Sequence, residues 1–246
     1  AFTSNRALGT YNLFVCDADG SNVRQLTRET GTSVAYMPSW VGDRIVFGLH
    51  RDKPRMASIR PDGSDLKVLG EGHDPCLSPD GVRIAYTGEV TGGVSVFVMD
   101  ADGSNKRQIV KDVNPWGAIF PSWSPDGKQI VYSFKVGEAL ELFIVDADGS
   151  APRQLTHLGK VCTPAAWSPD GKWISFRYTD EMYWRNKARM NQVYAHPQGD
   201  KRPVWVIHPD GTDAHVVEPL RYQCAMDGSR AAWKPMQLDQ REKRTR

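Results

Sequence analysis

The six histidines, His50, His73, His157, His196, His208 and His215, are the chain's most versatile side chains. Neutral imidazole is the commonest protein ligand for transition metals, so three of His50, His73, His157 and His196 meeting in space would hold a divalent ion, the only cofactor the sequence leaves open. A second set, Arg177, Glu181, Arg185 and His196, has the chemistry to recognise an acidic sugar, with one member acting as base in a β-elimination. The aspartate pairs Asp17/Asp19, Asp100/Asp102 and Asp146/Asp148 have the look of Asp-x-Asp-Gly calcium loops. They lack the later ligands of such loops, and their recurrence points to hairpin turns instead. No Gly-x-Ser-x-Gly elbow, His-Glu-x-x-His helix, phosphate loop or Cys-x-x-Cys pair occurs.

These residues are set in a repeat. Ser-Pro-Asp-Gly stands at Ser78–Gly81, Ser124–Gly127 and Ser168–Gly171, each followed by a short apolar run ending in an aromatic. Pro presets φ, Asp favours the turn and Gly tolerates positive φ, so each copy reads as strand, tight turn, strand. Looser copies are Pro38–Phe47 and Tyr222–Trp233. A second hairpin unit alternates with the first at Leu13–Thr27, Val96–Val110 and Leu142–Thr156, with diverged forms at Ala57–Leu69 and Val204–Val217. The glycines Gly20, Gly63, Gly103 and Gly149 are spaced by 43, 40 and 46 residues. Four strands per such period is the signature of a propeller blade.

The expected fold is therefore all-β: a β-propeller of four-stranded blades spanning 1–236, with a basic, unstructured tail at 237–246. Four periods are complete, and the N-terminal and C-terminal ends supply complementary halves, which favours five blades with a composite closing blade. A six-bladed ring and an incomplete one are the alternatives, because Ala1–Ser4 and Arg230–Trp233 claim the same strand.

The repeats, with Trp-Ser-Pro-Asp-Gly at Trp123 and Trp167 and Asp-Ala-Asp-Gly-Ser followed by Leu-Thr, resemble the WD-like repeat of the TolB family of periplasmic propellers. That resemblance implies a non-catalytic scaffold that binds protein partners in the bacterial cell envelope, hence a periplasmic or secreted location. The histidines and their blade positions are similar to those of the oligogalacturonate-lyase propellers, which implies a metal-dependent, carbohydrate-active alternative. A structural module of a larger protein is the third reading.

In a propeller the innermost strand lines the channel. The inter-blade links and the second-to-third-strand connections open on one face, opposite the Pro-Asp-Gly and Asp-Ala-Asp-Gly turns. Departures from the repeat on the first face are candidates for function. The largest is 179–202, which stretches the Gly149 to Gly211 step to 62 residues and carries Tyr183, Trp184 and Arg185. Trp116 in an inter-blade link stands outside the repeat, whereas Trp40, Trp123 and Trp167 occupy one repeat position and are expected in the inter-sheet core. Tyr36, His73, Phe120 and Thr163, with Tyr222 and Gln223, are expected at the channel mouth. Partner or ligand binding thus falls to Trp116, Tyr183, Trp184, Arg185, Arg177, Glu181, His196, Tyr222 and Gln223.

A net charge of +2 argues against a nucleic-acid binder. No apolar run of about 18 residues is present, so no helix is expected to enter a membrane, and no signal peptide is visible in the sequence, as is also expected of an exported chain that has lost it. Cys16, Cys76, Cys162 and Cys224 are spread over different blades and read as buried free thiols, with a disulfide open to an exported protein.

Overall fold

In the computed structural model, residues 1–7, 9–112, 117–179 and 204–217 are described below. They form five small antiparallel sheets arranged as a five-bladed propeller, with no helix among them. The first sheet contains β1 (Phe2–Ser4), β2 (Asn12–Val15) and β3 (Arg24–Gln25). Four-stranded sheets follow: β4 (Val34–Val41) to β7 (Lys67–Glu71), β8 (His73–Leu77) to β11 (Arg107–Gln108), and β12 (Ala118–Trp123) to β15 (Arg153–Gln154). The fifth comprises β16 (Val161–Trp167), β17 (Ile174–Thr179), β18 (Val204–Ile207) and β19 (His215–Val217). Within the second, third and fourth sheets the middle strands are β5 (Arg44–His50), β6 (Pro54–Ile59), β9 (Arg83–Val90), β10 (Gly93–Asp100), β13 (Gln129–Val136) and β14 (Ala139–Asp146).

Both turn motifs close as their residue types demand. In Ser-Pro-Asp-Gly, Ser78 Oγ donates to Asp80 Oδ1 (2.5 Å) and accepts the Arg83 amide (2.9 Å). Ser124 with Asp126 and Ser168 with Asp170 repeat the arrangement. In the other hairpin, Asp19, Asp62, Asp102, Asp148 and Asp210 each accept the amide two residues on. The carboxylates are spent on turn closure, as the hairpin reading expects.

Alternating strand residues bury into four inter-sheet cores. Leu13 and Val15 pack on Ile45, Phe47 and Ile59; Val46 and Met56 on Ile84, Tyr86 and Met99. Val96 and Val98 pack on Trp123, Ile130 and Tyr132; Leu142 and Ile144 on Trp167, Ile174 and Phe176. Fully burying one such side chain is worth about 1.5–3 kcal/mol, so these cores dominate cohesion. Arginines then clasp each sheet to the next. Arg24 donates to Pro61 O (3.1 Å), Arg44 to Ala101 O (3.1 Å) and Arg83 to Gly127 O (3.2 Å). Arg107 donates to Asp148 O (2.6 Å) and Ala147 O (3.0 Å), and Arg153 donates to Pro209 O.

Two expectations change here. Trp123 (5% exposed) and Trp167 (9%) are inter-sheet core, but Trp40 is 43% exposed. Trp123 Nε1 donates to Cys76 O of the preceding inner strand (3.1 Å) and Trp167 Nε1 to Ser122 O (3.2 Å), whereas Trp40 Nε1 turns back to Gly42 O (2.9 Å). No described innermost strand precedes Trp40, because the first sheet is described from its second strand outward. Cys16, Cys76 and Cys162 are free thiols, Cys76 and Cys162 buried and Cys16 only half so. The C-terminal half of the closing blade, the boundary at 236, the tail and Cys224 lie outside the described residues.

Candidate functional site

Each inner strand breaks at the same point. Register shifts fall between Tyr36 and Ser39, His73 and Cys76, Ile119 and Ser122, and Thr163 and Ala166. Two residues there oppose one aromatic, Phe47, Tyr86, Tyr132 or Phe176, which defines a β-bulge. Its first residue takes a left-handed φ, 49° at Met37, 53° at Asp74 and 57° at Phe120, and is followed by proline each time. Proline has no N–H to leave unpaired and therefore suits a bulge. In the fifth sheet Pro164 itself holds the first bulge place. The proline thus stands one place earlier than in the other copies, and the count from the bulge to the tryptophan position is unchanged.

The bulge sorts the expected channel residues. Tyr36, His73 and Thr163 all stand immediately before it, while Phe120 lies within it and Ile119 holds the matching level. Tyr36 and His73 meet across two sheets, the hydroxyl 3.4 Å from His73 Nδ1. The Tyr36 ring lies over Gly48, where an added Cβ would come within 2.4 Å of it. Asp74, buried in the bulge beside His73, accepts a hydrogen bond from Thr87 Oγ1 (3.2 Å). Arg177 pairs with Thr163 across β16 and β17. Tyr36, His73 and Asp74 are thus brought together on adjoining inner strands.

Beneath the face formed by the links, buried polar groups pin the connections. Asn12 Oδ1 accepts the Glu29 amide (2.6 Å) and the Thr27 hydroxyl (3.0 Å), and Asn12 Nδ2 donates to Glu29 O (3.1 Å). Glu29, 7% exposed, grips Arg51 of the β5–β6 connection through both oxygens, at 2.9 and 3.0 Å. In the fourth sheet Glu141, at the position equivalent to Asn12 and 2% exposed, accepts Thr156 Oγ1 (2.5 Å) and the Gly159 amide (2.6 Å). Burial, with the Glu141 carboxylate adding to it, pushes the Cys162 thiol up to about 12. Glu29, Arg51 and Glu141 are not visible in the repeat, since each replaces a different residue in the other copies. The one available signal was an acidic residue in an otherwise apolar strand, Ala139–Val145.

Among the described residues no group of three or more His, Cys, Asp or Glu could hold a metal ion. His50 ends β5, His73 opens β8 and His157 follows β15. The fourth candidate, His196, lies outside the described residues, as do Trp116, Glu181, Tyr183, Trp184, Arg185, Tyr222 and Gln223. Also among the described residues, no helix is long and apolar enough to cross a membrane.

No family model matches the chain. A stretch of 124 residues, 48% of this chain, is 32% identical to the Tol-Pal system protein TolB of Anaeromyxobacter dehalogenans (strain 2CP-C), where it covers 28% of the protein. The chain thus matches little more than a quarter of that relative's length. Among solved structures, TolB from Acinetobacter baumannii superimposes with a TM-score of 0.66 at 17% identity, over 87% of this chain and 50% of that one. The putative TolB from Agrobacterium tumefaciens gives 0.62 at 20%, over 80% and 66%. An oligogalacturonate lyase in complex with manganese gives 0.55 at 18%, over 83% and 58%. At such identities the structural likeness establishes the propeller fold.

Proposed function

We infer, from the premise that this chain is a TolB-like β-propeller, that it is a non-catalytic scaffold binding a protein partner in the bacterial periplasm. The observation that carries this reading is the asymmetry of its two faces. On one, eight turn aspartates among the described residues are engaged in closing their own hairpins. On the other, the connections rest on buried pins, Asn12, Glu29–Arg51 and Glu141. β17 ends and β18 begins at that second face, and the sequence that joins them holds the long departure of 179–202. A rigid platform with an aromatic and arginine-bearing connection is the composition of a protein-binding surface, in which Trp, Tyr and Arg carry most of the energy. Trp184→Ala should abolish partner capture while leaving the melting temperature unchanged. Retained capture would defeat the assignment of this face.

The Tyr36–His73 contact at the channel mouth supports a second reading, a carbohydrate-active propeller using a divalent metal held by His73, His196 and a further histidine on an acidic glycan. Metal analysis of the purified protein together with a uronate lyase assay tests it. Metal-free, inactive protein would remove this reading and leave the scaffold.

A further inference from the structure

The outer hairpin of the fifth sheet replaces two hydrogen bonds of its copies. In the third and fourth sheets the residue after the first turn aspartate donates its amide to the neighbouring hairpin, Ala101 N–H to Val82 O (3.0 Å) and Ala147 N–H to Lys128 O (2.8 Å). In the fifth sheet that residue is Pro209, which has no N–H. His208 makes the bond instead, its Nδ1 standing 2.8 Å from Lys172 O. A carbonyl oxygen only accepts, so Nδ1 carries the proton and Nε2 of the neutral ring carries none.

That bare nitrogen faces the second replacement. In the first and third sheets the hairpin is tied by an aspartate and the asparagine five residues on, Asn22 Nδ2 donating to Asp17 Oδ2 and Asn105 Nδ2 to Asp100 Oδ2, both at 2.6 Å. His208 and Asp213 hold those two places in the fifth sheet, so the acceptor now stands second and the donor must come from the imidazole. With Nε2 unprotonated the tie is not made: Nε2 lies 3.9 Å from Asp213 Oδ2, beyond hydrogen-bond distance. Trp173, at the place of Gln129, stacks on the His208 ring with centroids 3.8 Å apart and planes 24° from parallel.

We propose that His208 is a proton switch for this hairpin: uptake of a proton at Nε2 leaves the bond to Lys172 O intact, supplies the missing donor and closes the tie to Asp213. The imidazolium also gains the attraction of the Trp173 face. The other charged groups around it are accounted for. His215 meets Trp173 edge-on and its Nδ1 donates to Asp213 O (2.8 Å), with Asp213 Oδ1 at 3.4 Å. Asp210, in the same turn, is held below the usual carboxylate range chiefly by the Thr212 hydroxyl and amide, with charge on His208 and Arg153 adding to it. Arg153 itself donates to Pro209 O. Acid thus fastens the hairpin of β18 and β19, whatever the loop face binds.

The test is nitrogen NMR of the full chain with labelled histidine, the His208 signals being those lost in His208→Gln. At about pH 8 His208 should be a single Nδ1–H tautomer, and at about pH 5 both nitrogens should carry protons. The new Nε2 proton should be directly visible, held from exchange by Asp213, and should disappear in Asp213→Ala. That variant should fold, because Ala151 already holds the equivalent place in the fourth sheet, at a φ of 50° against 54° for Asp213. Over the same pH range tryptophan emission should fall, since a protonated imidazole quenches a stacked indole; the fall should vanish in His208→Gln and persist in His215→Gln. An Nε2–H tautomer at pH 8, an Nε2 proton that is never seen or that survives in Asp213→Ala, or quenching that follows His215 instead of His208, would each overturn the proposal.

Discussion

Replacing Glu141 by Gln tests whether the loop face is pinned from below. The carboxylate is 2% exposed and accepts two bonds, from the Thr156 hydroxyl at 2.5 Å and the Gly159 amide at 2.6 Å. An amide of the same shape keeps one acceptor and turns a donor toward the other partner. Thr156 Oγ1 already accepts the Leu142 amide (2.9 Å), so accepting the new N–H as well would leave its hydroxyl without the bond it donates to the carboxylate. The loss of one hydrogen bond to a buried charged acceptor is worth about 1.5–3 kcal/mol. For a domain of this size that is a fall in melting temperature of about 3–12 °C. Hydrogen exchange at the Gly159 amide should quicken, reporting a loosened link to β16. The Cys162 thiol should also move down from about 12, remaining above the ordinary thiol range because burial is the larger cause. A melting temperature within 1 °C of the parent protein, by thermal and urea melts, would refute the claim that Glu141 pins this connection.

Further outcomes follow from the same contacts. Gly48→Ala forces a Cβ within 2.4 Å of the Tyr36 ring and should cost about 1–3 kcal/mol in urea melts as an overpacking change; His73 resonances should shift as Tyr36 moves away. Arg107→Ala removes two bonds to the next sheet's turn, at Asp148 O and Ala147 O, and should cost about 1 kcal/mol in the same melts. Serine hydroxyls and turn amides hold Asp80, Asp126 and Asp170 below the usual carboxylate range. Their contribution is full above the unfolded value of about 3.9 and is lost as pH falls through the folded values, so Asp126→Asn should flatten the acid limb of stability against pH. Cys162 should resist iodoacetamide at pH 8 in the native protein and react only on unfolding, as read by mass spectrometry.

The blades were legible because propeller turns demand particular residues. Ser-Pro-Asp-Gly and Asp-x-Asp-Gly close on their own side chains, so the requirement is local and leaves a mark in every copy. What joins blades was less legible. Arg24, Arg107 and Arg153 reach carbonyls between 37 and 56 residues away, and nothing local requires an arginine there. The bulge left a partial trace in Pro38, Pro75 and Pro121, but its effect on side-chain level, separating Phe120 from Tyr36 and His73, depends on pairing with the next strand. Trp40 shows the limit of reasoning by repeat: the same residue in the same position is 43% exposed and turns its indole N–H back to Gly42 O. Of the expected binding residues, Arg177 falls on a described strand, while Tyr183, Trp184 and Arg185 depart from the repeat, so no other copy predicts their surroundings.

The most direct test of the scaffold account is site-specific photocrosslinking in the bacterial periplasm, with the probe at Trp184 or at Asp102 on the turn face. The account predicts one defined protein adduct from position 184 and none from position 102. Equal adducts from both positions, or an adduct at 102 alone, would contradict it.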